Sequence, residues 1–207
     1  MEYAQERVTT LHDLTGRAPE VPVDRAAVVV PMTGRDHGTL PTERLLSALE
    51  AVEPARVIVA LRAPAERTRQ IHAWLSGFDV PVEVLWCNSA PVLDLLAGHG
   101  LDGPAGKGRD VWLALGVAAA ATEYVLAHDA DSRTVTRDDF ERLLFPLQRD
   151  FSFVKGYYAR VEDGRLYGRL CRLFYAPLVR ALREERDAPI LAYLEAFRYA
   201  LAGEFAA

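Results

Sequence analysis

Four short apolar runs, each followed by a helical segment, predict an α/β fold: a mostly parallel, Rossmann-like sheet with helices on both faces. The runs are residues 26–31, 56–61, 82–87 and 124–128. The first is continuously apolar, as a strand covered on both sides is. Composition agrees with a globular protein. The chain has 207 residues, is 50% hydrophobic and 26% charged, and its mean hydropathy is near zero. Collagen-like, disordered and disulfide-framework classes are thereby excluded. At roughly 150 residues per domain, the length suggests one large domain or one and part of a second.

Residues 1–24 read as a short helix and a Pro-rich linker. After the first run closes on Pro31, residues 32–40 carry Gly34 and Gly38 among polar residues and read as a loop. Pro41 opens a helix with Leu45, Leu46, Leu49 and Val52 on one face. Residues 65–77 form a second helix, stopped by Gly77, and 90–97 a short third. A glycine-rich stretch, 98–108, precedes a strongly helical segment over 110–121. Residues 136–147 form another helix. Residues 151–158 read as a strand leading to a turn at Asp163-Gly164, and 166–182 as a helix on the spacing of Leu170, Leu173, Phe174, Leu178 and Leu182. The domain reading is a helix and linker over 1–24, an α/β domain over 25–147, and the start of a further region over 148–207.

Right-handed crossovers place ligand loops at the carboxyl ends of parallel strands, so the chemistry belongs there. One such end is His128-Asp129-Ala130-Asp131-Ser132. Two carboxylates two residues apart repel unless a cation lies between them, and hard divalent ions favour oxygen ligands shared with substrate phosphates. The same triplet also serves as a turn former and helix cap, which leaves both readings open. Gly103-Pro104-Ala105-Gly106-Lys107-Gly108 directly precedes a helix. Glycines and a helix N-terminus suit a phosphate, although the spacing is not that of a Walker A loop and a flexible loop explains it equally. Lys107 and Lys155 are the only lysines among 24 basic residues. The third cluster, Lys155, Arg160 and Arg165 around Asp163-Gly164, fits either an anionic acceptor or a charged hairpin edge.

The formal charge of −5 argues against a general nucleic-acid binder. No run is apolar and long enough for a bilayer. Two cysteines, Cys87 and Cys171, point to a reduced, cytoplasmic setting.

In order and spacing, Gly106-Lys107-Gly108, Asp129-Ala130-Asp131, Val154-Lys155-Gly156-Tyr157-Tyr158, Asp163-Gly164-Arg165-Leu166 and Ala202-Gly203-Glu204-Phe205-Ala206-Ala207 resemble the glucosyl-3-phosphoglycerate synthases. These are retaining glycosyltransferases of GT-A type, related in plan to mannosylglycerate synthases. The resemblance implies transfer of a hexose, with UDP-glucose as donor, to 3-phosphoglycerate or a similar small anion, with Mg²⁺ or Mn²⁺ as cofactor. It implies that Pro31, Met32 and Thr33 line the nucleobase and ribose, and that Lys107 contacts the donor phosphates. Asp129 and Asp131 would hold the metal, Asp131 more directly. Arg160 and Arg165 would hold the acceptor anion, and Glu204 would face sugar or acceptor. Asp131, Lys107 and Glu204 are thus the expected catalytic set. The family has an acidic residue soon after the first strand, where this chain has Gly34-Arg35, and continues well beyond the Gly-Glu block, with a histidine completing the metal site. The chain accordingly reads as truncated at the C-terminus. Apolar surface left uncovered there predicts association, such as a homodimer. Two other readings are a nucleotide-sugar-binding fragment or partner subunit without turnover, and a sugar-phosphate nucleotidyltransferase on the same fold.

Overall fold

The computed structural model describes residues 20–156, 161–162, 164–166, 170–196 and 203–207. The four apolar runs form parallel strands β1 (Ala26–Thr33), β2 (Arg56–Arg62), β3 (Val82–Trp86) and β4 (Tyr124–Ala127). Register runs unbroken from Ala27 opposite Arg56 to Thr33 opposite Arg62. On its other edge β1 pairs with β4, Ala26 opposite Tyr124. Helices α1 (Leu40–Val52), α2 (Ala65–Leu75), α3 (Ala90–Gly98), α4 (Lys107–Ala119) and α5 (Arg137–Leu144) fill the connections. The expected α/β class, a mostly parallel sheet flanked by helices, is the class observed.

Side chains alternate across the sheet. Val28, Val30, Met32, Val57, Val59, Leu61 and Leu126 face one way, into a core completed by α1, α2 and α5. Ala27, Val29, Ile58, Ala60, Val125 and Ala127 face the other way, onto Ala114 and Ala118 of α4. Each fully buried Leu or Ile contributes about 1.5–3 kcal/mol by leaving water, so the first face carries most of the stability.

Several boundaries differ from expectation. β1 continues through Met32 and Thr33 rather than ending at Pro31, because Met32 alternates into the core and Thr33 pairs in register with Arg62. The turn that follows spans residues 34–38, with Gly38 at φ +68°. α4 begins at Lys107, a turn earlier than the apolar pattern suggests. α5 stops at Leu144 and passes into a 3₁₀ turn, Phe145–Arg149, where Pro146 cannot continue an α-helix.

The last residues, to which the sequence pattern assigns no element, add a strand. Phe205–Ala206 is a strand, here called β8, and it pairs antiparallel with β4, Leu126 opposite Ala206 and Ala127 opposite Phe205. The sheet order is β3-β2-β1-β4-β8-β5, where β5 is Val154–Lys155.

Contacts divide the chain into two units: residues 18–154 with 204–207, and among the described remainder residues 155–203. Within the second, β6 (Val161–Glu162) and β7 (Arg165–Leu166) form an antiparallel hairpin turned at Gly164, φ +70°. Leu166 is therefore in a strand, and the helical run starts later: a π-type turn, Cys171–Tyr175, leads into α6 (Ala176–Glu185), followed by α7 (Pro189–Ala196). The Tyr175 hydroxyl donates to the Leu194 carbonyl at 3.1 Å. Residues 157–158 of the expected fifth strand, and residues 1–19, lie outside the described residues.

Candidate active site at the strand ends

The carboxyl end of β4 delivers the Asp129-Ala130-Asp131 loop, which is held through its backbone. Nδ1 of His128, a buried residue packed on Phe140 at 5.2 Å between ring centroids, is hydrogen-bonded to the Asp129 carbonyl at 3.0 Å. The fully buried Thr42 hydroxyl of α1 donates to the Ala130 carbonyl at 3.3 Å, and Arg44 Nη1 to the Arg133 carbonyl at 3.0 Å. With the backbone fixed, Asp129 is half-buried and Asp131 exposed. Ala130 between them, in the turn that follows β4, is buried.

Lys107, the first residue of α4, reaches across to this loop. Its Nζ donates to Asp129 Oδ1 at 2.5 Å, a charge-assisted contact. The helix start is itself braced. Asp110, 4% exposed, accepts from Nε and Nη2 of Arg62 at 2.9 and 2.6 Å, which ties the first turn of α4 to the end of β2. Arg109 Nη1 donates to the Gly103 carbonyl at 3.1 Å, holding the glycine stretch against the same turn. At Gly103, Gly106 and Gly108 an added Cβ would meet open space, so the approach to the N-terminus of α4 is unobstructed.

β8 brings the third component. Glu204, 6% exposed, accepts from the Ser132 hydroxyl at 3.2 Å, directly beyond the aspartate loop. Lys107, Asp129, Asp131, Ser132 and Glu204 therefore converge on one end of the sheet. The acidic donors are all oxygens, which suits a hard divalent cation. Among the described residues no three His, Cys, Asp or Glu side chains come together as a closed metal cage.

At the end of β1, Pro31 is half-buried and Thr33 exposed, whereas the Met32 side chain is 2% exposed and belongs to the core. Only the Met32 backbone faces the strand-end region. Arg165 lies in β7, opposite Glu162, and Arg160 lies outside the described residues.

No protein-family model matches the chain. A glucosyl-3-phosphoglycerate synthase of Methanococcoides burtonii is 35% identical over 228 aligned positions, covering all of this chain and 56% of that protein. Its counterpart from Persephonella marina is 41% identical over 164, covering 73% of this chain and 40% of the relative. Along its whole length the chain is similar in sequence to the first of these synthases. It spans about half the length of these curated relatives. The glucosyl-3-phosphoglycerate synthase of Mycobacterium tuberculosis, solved with Mn²⁺, UDP and phosphoglyceric acid, superimposes with TM-score 0.57 at 22% identity, over 89% of this chain and 55% of that one. A structure of the same enzyme with Mn²⁺, UDP-glucose and phosphoglyceric acid gives 0.58 at 21%. The matched half of that structure thus has the fold of this chain.

Three features of the candidate site escape a reading of the sequence. Arg62 and Asp110 are 48 residues apart, and nothing local announces their pairing. The buried role of His128 depends on Phe140, which packs there from α5. Asp36 is the acidic residue that follows β1, one position past Gly34-Arg35. Its Oδ2 accepts from the Thr33 amide at 2.6 Å and the Thr33 hydroxyl at 2.8 Å. A Thr-x-x-Asp spacing is a known side-chain-to-backbone pattern and could have flagged it.

Proposed function

We propose that the chain is the donor-binding portion, with part of the acceptor region, of a metal-dependent retaining glucosyltransferase that moves glucose from UDP-glucose to 3-phosphoglycerate. The observation that carries this reading is the convergence of Lys107, Asp129, Asp131 and Glu204 on the carboxyl ends of parallel strands, in a chain whose whole length matches such synthases.

Pro31 and Thr33, with the Met32 backbone, receive the nucleobase and ribose. Lys107 and the open amides at the N-terminus of α4 receive the diphosphate. Asp129 and Asp131 hold Mg²⁺ or Mn²⁺, which when bound supplies positive charge against the departing diphosphate. The backbone bonds to Asp129, Ala130 and Arg133 fix the loop before ligand arrives, and such preorganisation is what makes electrostatic stabilisation effective. Ser132 orients Glu204 toward the sugar or acceptor hydroxyl. Arg160 and Arg165 hold the acceptor's phosphate and carboxylate, for which guanidinium forks are suited. No residue is assigned as a covalent nucleophile.

The test follows UDP release from UDP-glucose in the presence of Mn²⁺ and 3-phosphoglycerate. Asp131→Ala should lower turnover by about a hundredfold or more, the scale on which loss of a preorganised electrostatic contact is felt. Turnover unchanged in this variant would overturn the assignment.

A further inference from the structure

We propose that Asp36 is a positioning residue of the donor site. Its carboxylate shapes the end of β1 through Thr33, and a chain of threonine hydroxyls ties the turn it forms to the loop after β4. The inference rests on the donor-site reading given above and adds to it a residue that acts on the ligand only through another.

Three observations carry it. First, Thr33, the last residue of β1, is held from the turn that follows. Its amide and its hydroxyl both donate to Asp36 Oδ2, at 2.6 and 2.8 Å. Its carbonyl accepts from the Asp36 amide at 3.1 Å, and its Oγ1 from the Arg35 amide at 3.3 Å. Amide, carbonyl and hydroxyl of this exposed residue are thus all committed within residues 33–36, and the carboxylate acceptor makes two of the contacts charge-assisted. Second, the turn is anchored. The Asp36 carbonyl accepts from the Thr39 amide at 3.2 Å, with Thr39 Oγ1 3.1 Å away, and the Thr39 and Thr42 hydroxyls are 3.0 Å apart. The Thr42 hydroxyl donates in turn to the Ala130 carbonyl at 3.3 Å, across 88 residues. Each hydroxyl has one proton to give. Because the Thr39 amide already serves the Asp36 carbonyl, the Thr39 proton can go to Thr42 and the Thr42 proton to Ala130. Third, Thr42 is fully buried on α1. A hydroxyl there costs free energy unless it is hydrogen-bonded, and this chain supplies its partners. β1 and β4 are neighbours in the sheet, so one hydrogen-bonded unit sets two adjacent strand ends. A strand end ordered before the ligand arrives spares the ordering cost on binding.

The experiment is a calorimetric titration of UDP and of 2′-deoxy-UDP, with Mn²⁺ present throughout. Asp36→Ala should weaken both nucleotides by the same factor, about three- to tenfold, the range of a part-exposed hydrogen bond to a charged group. Asp36→Asn keeps an oxygen acceptor for the Thr33 amide and should recover most of the loss. In a Thr33→Val background, where the hydroxyl contact is already gone, Asp36→Ala should cost less than it does in wild type. Thr42→Val cuts the chain at its buried end and should weaken UDP too, with Thr42→Ser restoring it. Urea midpoints of each variant separate these effects from unfolding. A loss seen with UDP but not with 2′-deoxy-UDP makes Asp36 a direct ribose contact and overturns the proposal. Unchanged affinity in Asp36→Ala, or an equal loss with and without the Thr33 hydroxyl, overturns it as well. Unchanged affinity in Thr42→Val overturns the tie to the loop after β4. When wild type binds UDP, those results leave the donor-site reading standing. A wild type that binds no UDP sinks that reading and the proposal with it.

Discussion

The two faces of the sheet are built to different thicknesses. Toward α1, α2 and α5 the strands present Val, Leu and Met, met by Leu45, Leu46, Leu49, Ile71, Leu75 and Phe140. Toward α4 the strands present Ala27, Ala60 and Ala127 beside Val29, Ile58 and Val125, met by Ala114 and Ala118. Interaxial spacing follows side-chain size, so alanine on both sides lets α4 lie close to the sheet. The thick face holds the domain together, whereas the thin face sets where the N-terminus of α4, and with it Lys107, stands relative to Asp129. Stability and site geometry are thus assigned to opposite sides of the same strands.

The strongest test of that division is Phe140→Ala. Phe140 is fully buried on the thick face and also supports the His128 ring. Its truncation should cost about 3–5 kcal/mol, read as a fall in the urea midpoint with an unchanged slope. A loss below about 1 kcal/mol would mean that the thick face is not the main source of stability.

The converse change is Ala114→Leu, which overfills the thin face. It should cost about 1–3 kcal/mol. Its more telling effect is on the site: lifting α4 moves Lys107 away from Asp129, and UDP affinity should fall about tenfold, beyond what the modest loss of stability explains. Ala48→Leu, the same enlargement at a half-buried position of α1, should leave UDP affinity unchanged. Calorimetric titration of both variants decides the matter, and equal effects would dissolve the distinction between the faces.

Much of the thick face is legible in the sequence because it is local. β1 and β2 are centred on apolar runs, and Leu45, Leu46, Leu49 and Val52 repeat at helical spacing. The site is legible only in part. Asp129, Asp131 and Lys107 stand out because their residue types at strand and helix ends have a chemical reason to be there. β8 does not stand out. Two residues have no periodicity, and Phe205–Ala206 becomes a strand only because the edge of β4, about eighty residues earlier, offers unpaired backbone groups. The family resemblance, by contrast, picks out Glu204 without showing how it arrives. The start of α4 fails for a similar reason: the apolar pattern begins at Val111, whereas the first turn is held by polar contacts of Arg109 and Asp110 that carry no period.

The smallest effect at neutral pH concerns Cys87, which lies on the thin face at the end of β3 and is fully buried. Its amide donates to the Leu61 carbonyl at 2.9 Å and its thiol to the Leu85 carbonyl at 3.3 Å. Burial, reinforced by the Asp110 carboxylate, pushes the thiol from its ordinary 9.0 up to about 12, against the smaller opposing pull of Arg62 and Arg109. A folded-state value above the unfolded one means that the unfolded chain gives up its proton first. The neutral thiol's contribution is therefore complete below pH 9 and is lost as pH rises from 9 toward 12. Over that window the wild type should lose stability more steeply than Cys87→Ala, and the two curves should run parallel below it. Iodoacetamide at pH 8 offers a second reading of the same burial. Cys171 is half-buried and should label in the native protein, while Cys87 should label only as fast as the domain opens. If both thiols react at one rate, the thin face is open to solvent and cannot be what fixes the position of α4.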